Sequence, residues 1–291
     1  MALTHWADLD KLSFESDQFQ NHKAYRRVMN FDPMWTAACG NLTGVSAVHK
    51  FGHNDSIGAA LEDLWTTGGV YPWPTTAVAL EAISTDATDN AAGAGARTIT
   101  VEGLDANFAE QTATITMHAS DGTNASDPTV EKFIRVNRAY IATGGTYADT
   151  DSGSHVGTIV IRASGAGATQ ITLHLEDGIA QGQSTIARYT VPAGKNALLT
   201  RFSSNFQSTT KTANIYLLQR PSADVTSAPF GAKRLVIEFT GISGTIERKI
   251  DSFIKFEEKT DIWVAAIASA VGAKVAAQFD LIMFDTTSAT T

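Results

Sequence analysis

Arg97-Thr98-Ile99-Thr100-Val101-Glu102, then Gly103-Leu104-Asp105-Ala106-Asn107, then Thr112-Ala113-Thr114-Ile115-Thr116-Met117, is the stretch that decides the fold. Ile99 and Val101 fall on one side of an extended chain, and Thr98, Thr100 and Glu102 on the other. A side-chain period of two with turn residues between the runs is the pattern of antiparallel sheets, buried on one face and wet on the other.

Working outward from this stretch, the same pattern recurs from about Thr76 to Phe284. It predicts strands at 76–83, 97–102, 111–118, 132–141, 157–162 and 170–175. A second set falls at 184–191, 196–203, 213–219, 234–240, 245–250, 253–257, 261–268 and 275–284. Many short strands at this spacing indicate sandwiches rather than βαβ units. Pro192-Ala193-Gly194-Lys195 is a tight turn. The Ala-rich run from Trp263 to Val275 reads as a hairpin because strand-forming residues flank Gly272. The linkers Ser84–Ala96, Ser120–Asp127 and Gly144–Ser154 are Gly/Asp/Asn/Ser-rich and read as mobile loops. The expectation is an all-β chain of two β-sandwich domains, the first Ig-like (73–182) and the second jelly-roll-like (183–291).

Residues 1–72 differ. Asp17–Asn30 is polar with a sparse apolar side that fits a short helix, and Ile57–Trp65 fits one or two helical turns. Aromatic residues are dense where regular structure is scarce, which suits an extended N-terminal arm that packs on its own sandwich or on a neighbour. Its candidate interface residues are Trp35, Phe51, Trp65, Tyr71 and Trp73.

Among the 291 residues 43% are hydrophobic, enough for proper cores, while only 18% are charged. The net charge of −8 argues against a surface broadly adapted to nucleic acid. That charge is uneven: 73–182 hold 5 basic against 13 acidic residues, and 183–291 hold 12 against 9. Cys39 is the single cysteine, which excludes a disulfide within the chain. Met1–Asp8 lacks a basic segment followed by an apolar one, so no signal peptide is expected. No apolar run approaches the ~18 residues of a membrane span.

His49, His53 and Asp55 form H-x-x-x-H-x-D, but Gly52 interrupts the turn and no Glu follows the first His, so they read as loop residues. The oxygen-rich run Asp121–Asp127 lacks the order of a calcium loop. Glu257, Glu258 and Asp261 read as a solvated turn rather than a hydrolytic carboxylate pair. Arg135 and Arg138, three apart, cannot share a face of a regular strand, so one of them is free to anchor a cross-strand pair. No pattern calls for catalysis, a metal or another cofactor.

Four segments carry a resemblance: Ala96–Asn107, Arg135–Tyr140, Tyr189–Lys195 and Phe256–Val264. Together they resemble a family of tailed-bacteriophage virion structural proteins, over about residues 48–285. The resemblance implies a non-enzymatic, β-rich part of the particle, assembled in the host bacterial cytoplasm. Its first implication is a capsid decoration (cement) protein, a homotrimer of its own copies on the major capsid protein or other virion proteins, with no nucleic-acid or membrane partner. The alternative is a tail- or fibre-associated module binding host surface glycans, for which Tyr147 is the loop aromatic available.

Overall fold

The computed structural model describes residues 43–149, 153–165, 173–176, 182–208 and 210–286. Two compact units divide the chain, Met1–Ala47 and Val48–Thr291, and the architecture below is that of the second. The segment expected as a helix at Asp17–Asn30, Trp35 and Cys39 lie outside the described residues.

The described chain is all-β, and sixteen strands are built from the alternation seen in the sequence. In β4 (Ala96–Leu104), Ile99 and Val101 are buried while Thr98, Thr100 and Glu102 are half-buried on the other face. It pairs antiparallel with β5 (Glu110–Thr116), Ile99 opposite Ile115. Asp105 closes the hairpin, its Oδ1 accepting from the Asn107 and Ala109 amides at 2.8 and 2.9 Å. On its other edge β4 pairs with β7 (Arg135–Gly144), completing a three-stranded sheet in the order β5-β4-β7.

Over that sheet lies a second one, ordered β6-β3-β8-β9, from β3 (Val78–Ser84), β6 (Lys132–Phe133), β8 (Ile159–Ala163) and β9 (Leu173–Leu175). Leu80, Ile99, Ile115, Phe133 and Ile161 fill the space between them. Each such side chain contributes about 1.5–3 kcal/mol on burial. Seven strands in sheets of four and three match an Ig constant domain in number but not in order. Taken along the chain as A to G, that fold has ABED over CFG, whereas the order here is D-A-F-G over C-B-E.

The other sandwich is made of β1 (Val45–Ile57), β10 (Arg188–Thr190), β11 (Lys195–Gln207), β12 (Ala213–Arg220), β13 (Arg234–Ile242), β14 (Thr245–Phe256), β15 (Asp261–Ala268) and β16 (Ala273–Asp285). Its sheets are ordered β1-β16-β11-β14 and β10-β15-β12-β13, and the short β2 (Glu62–Asp63) adds to β15. The pairing is nested. The first of these eight strands pairs with the eighth, the second with the seventh, the third with the sixth and the fourth with the fifth. Wrapping four such antiparallel pairs around one core gives the jelly roll. Its core holds Leu199, Phe202, Ile215, Leu217, Phe256, Val264, Phe279 and Leu281, with Phe202 stacked on Phe239. The β3–β9 sandwich is therefore an insertion, entering the chain after β2 and leaving it before β10.

Two expectations are corrected. Residues 45–63, read as part of an arm with little regular structure and with helical turns from Ile57, supply β1 and β2. The alternation of β1 is hidden because its buried positions include Lys50, Gly52 and Asn54, which are not apolar. Gly52 is required there, since a Cβ would lie 2.2 Å from the Ala187 nitrogen of the crossing segment. The Ser84–Ala96 linker, expected as mobile, is fastened by the fully buried Asp89 carboxylate. It accepts from the Ala96, Val156 and Gly157 amides and the Ser84 hydroxyl, all within 3.0 Å.

Candidate functional site: the joint between the two sandwiches

A buried polar cluster lies where β7 of the inserted sandwich meets β1, β10 and β15 of the jelly roll. Arg135 opens β7 and is 1% exposed; Asp261 opens β15 and is 0% exposed. Arg135 Nε donates to Asp261 Oδ1 at 2.9 Å and Nη2 donates to Oδ2 at 3.1 Å. The remaining Asp261 valences are met by the Thr190 hydroxyl at 2.7 Å and Arg220 Nη2 at 2.5 Å. Arg135 Nη1 donates to the Pro74 and Ile134 carbonyls. Burial alone would raise the Asp261 pKa. The opposing charge and hydrogen bonds of Arg135, then Arg220 and Thr190, hold it below the usual carboxylate range.

The next two residues of β7 extend the strap. Arg188 on β10 donates from Nη2 to the Val136 carbonyl at 2.9 Å. The Asn137 amide is read on both sides by Thr190: the Thr190 amide donates to Oδ1 at 3.0 Å, and Nδ2 donates to the Thr190 carbonyl at 3.3 Å. Lys50 on β1 donates to the Asn137 carbonyl at 2.5 Å. The strap thus ties three consecutive β7 residues to three strands of the jelly roll, and Leu104, Phe108, Ile134 and Ala223 form an apolar cluster beside it.

Beneath the guanidinium groups runs a ladder of aromatic rings. Trp65, Tyr71, Trp73 and Trp263 meet successively edge to face at 5.0, 5.2 and 5.4 Å. Arg188 lies 3.6 Å from the Tyr71 ring centroid, while Arg135 and Arg220 lie 5.2 and 5.3 Å from that of Trp73. Buried guanidinium on aromatic faces is a favourable substitute for hydration. Arg188 Nε and Tyr71 Oη are nonetheless buried without a hydrogen-bond partner, beside a cavity of about 10 Å³. Asp63 lines the same cavity. Burial pushes its carboxyl up to about 6, against the Tyr71 amide at 2.8 Å and the Arg188 charge.

Three of the five aromatics expected at an interface therefore serve the joint. Trp65 and Tyr71 are buried at 5% and 2% exposure, within the chain itself, and Trp73 is half-buried against Trp263 and Arg135. Phe51 faces outward from the β1-β16-β11-β14 sheet, tilted against His49 at 5.7 Å. There it lines a shallow cavity of about 320 Å³ with His53, Asn205, Thr245 and Gln278. The structure does not bring Phe51 together with the other three.

Asp261, read as a turn carboxylate, is the residue that sequence reasoning missed. It is fully buried, whereas Glu257 and Glu258 do lie exposed at that turn. Arg135 is the anchor, and Arg138 instead packs over Tyr140 at 4.7 Å and donates to Gln183. The histidines part company: His49 meets Asp280 at 2.5 Å and His53 meets Glu176 at 3.1 Å. Among the described residues no three His, Cys, Asp or Glu side chains are placed to hold a metal ion.

No family model matches the sequence, and no curated protein matches it either. Solved structures that align with it include structures of infectious bursal disease virus. The Gx strain structure aligns at 8% identity over 83% of this chain and 71% of that one, with a TM-score of 0.22. The Gt strain structure aligns at 9% identity over 87% and 82%, with a TM-score of 0.20. T=1 particles derived from the virus align at 8% identity over 84% and 74%, also with a TM-score of 0.20. Scores of this size lie well below those of chains that share a fold, and the likeness carries no argument about role.

Proposed function

We propose that this chain is a non-enzymatic structural component of a tailed-phage particle, a capsid decoration (cement) protein that binds neighbouring capsid subunits and its own copies. The observation that carries the reading is the nested eight-strand jelly roll with a second sandwich inserted and strapped to it by buried charge. Jelly rolls recur in viral shells as well as in lectins and cupins, so the warrant is an analogy at the level of fold. The sequence resemblance to tailed-phage virion proteins points the same way. The Arg135–Asp261 pair at the centre of the polar cluster is closed to solvent and serves to hold two bodies together. The test is to add the recombinant protein to particles that lack it and to measure occupancy and particle stability.

A second reading has its own observation. In the 320 Å³ cavity an aromatic ring, Phe51, converges with the side-chain amides of Asn205 and Gln278 on an open sheet face. Apolar walls with a few convergent polar groups are what small ligands require. A tail- or fibre-associated module holding a host glycan there would give binders on a glycan array that Phe51→Ala and Asn205→Ala remove.

A further inference from the structure

We propose that the joint between the sandwiches is proton-gated: uptake of one proton by Lys50 weakens the strap that residues 135–137 make on the jelly roll. The proposal stands on what surrounds this side chain. Lys50 is 6% exposed, and its one hydrogen bond is to a neutral acceptor, the Asn137 carbonyl. The charged groups that face it from the packed elements are Arg188 of β10, Arg138 of β7 and Glu102 of β4. Two of these three are cations, and Glu102 makes no ion pair with Lys50. On β1 itself, His49 and His53 are spoken for by Asp280 and Glu176.

A neutral amine fits this site and an ammonium does not. The neutral amine still donates to Asn137. The ammonium adds a further buried positive charge beside Arg188, whose own guanidinium donates to the Val136 carbonyl and lies over the rings of Tyr71 and Trp73. Burial first, then Arg188 and Arg138, pull the Lys50 pKa down to about 7, with Glu102 opposing. The sign follows from linkage. Between about 7 and the ordinary lysine value of 10.5 the unfolded chain holds a proton that the folded chain does not, so folding strengthens as pH rises across that window. Below about 7 both states are charged and the penalty is complete. The strap is therefore tightest in mildly alkaline solution and loosens toward neutrality.

This points to a chain whose inserted sandwich is freer to reorient on its jelly roll at neutral pH than above it. The inference belongs to the folded chain and does not depend on the particle reading.

The experiment is thermal unfolding of the full chain between pH ~7 and ~10, with tryptophan emission from the joint, where Trp73 and Trp263 sit, as a local readout. Wild type is expected to gain stability as pH rises. Lys50→Met should be more stable than wild type at pH ~7 and flat across the window, and Lys50→Arg should be destabilised throughout. If Lys50→Met fails to fold, Glu102→Gln carries the test, because removing the opposing carboxylate should move the transition to lower pH. A wild-type profile retained in Lys50→Met, or a Glu102→Gln profile superimposable on wild type, overturns the proposal. So does a Lys50 side chain that titrates by NMR at the ordinary lysine value.

Discussion

Arg135 and Asp261 meet in a two-pronged ion pair at 2.9 and 3.1 Å, one from each sandwich and both shut off from solvent. A pair buried to this degree is costly to break one-sidedly, because the survivor is left charged in a poor solvent. Asp261→Ala is expected to destabilise the chain by about 3–5 kcal/mol in urea unfolding. Glu247→Ala, which breaks the exposed Arg201–Glu247 pair, should cost less than about 1 kcal/mol. Equal effects would mean that the joint is no more than another surface contact.

Gly52→Ala tests the crossing of β1 over the segment that leads into β10. The added methyl would fall 2.2 Å from the Ala187 nitrogen and 2.6 Å from the Ile186 carbonyl carbon, both main-chain atoms that cannot swing aside. A loss of about 1–3 kcal/mol or more is expected by thermal unfolding. Gly69→Ala, with nothing within 4 Å but a φ of +69°, should cost only the smaller penalty of a left-handed backbone.

On the acid side two carboxylates act with opposite sign. Asp63 is raised from 3.8 to about 6, so the folded chain holds more protons than the unfolded one between those values, and stability falls as pH rises through that range. Asp63→Asn should remove this slope. Asp261 is lowered, so its contribution is present above the unfolded value and is lost as pH falls through the folded one. Urea midpoints between pH ~3 and ~7 should therefore show a local maximum near pH ~4 in wild type, where the two slopes cancel, and a plateau above that pH in Asp63→Asn.

The arm aromatics should separate by location. Trp65→Ala removes a side chain packed in the inserted core and should cost about 3–5 kcal/mol in the free protein. Phe51→Ala, on an open face, should leave the melting temperature within a few degrees while lowering occupancy on particles or binding of glycan. A Trp65→Ala chain as stable as wild type would return that residue to the interface expected of it.

Much of the architecture was legible in the sequence wherever a strand shows one face to water. The predicted runs at 97–102 and 111–118 are β4 and β5, and 213–219 and 234–240 are β12 and β13, because alternation survives in them. β15 is different. Ile262 and Val264 face the jelly-roll core, while Trp263 and Ala265 pack beneath Leu61 and Trp73. A strand covered on both sides loses its alternation and reads as a continuous apolar run. β1 failed for the opposite reason, with Lys50, Gly52 and Asn54 on its buried positions. The site was hidden for the same physical cause. A buried ion pair 126 residues apart leaves no local trace, and Asp261 beside Glu257, Glu258 and Lys259 looks like any charged turn.

The role proposed for the chain is that of a structural part of a particle. Light scattering of the recombinant protein, alone and mixed with heads that lack it, tests this most directly. A particle component should give a defined oligomer of the chain's own copies, a trimer in its specific form, that saturates bare heads and raises the temperature at which they rupture. A monomer that leaves the heads unchanged in mass and stability would contradict it.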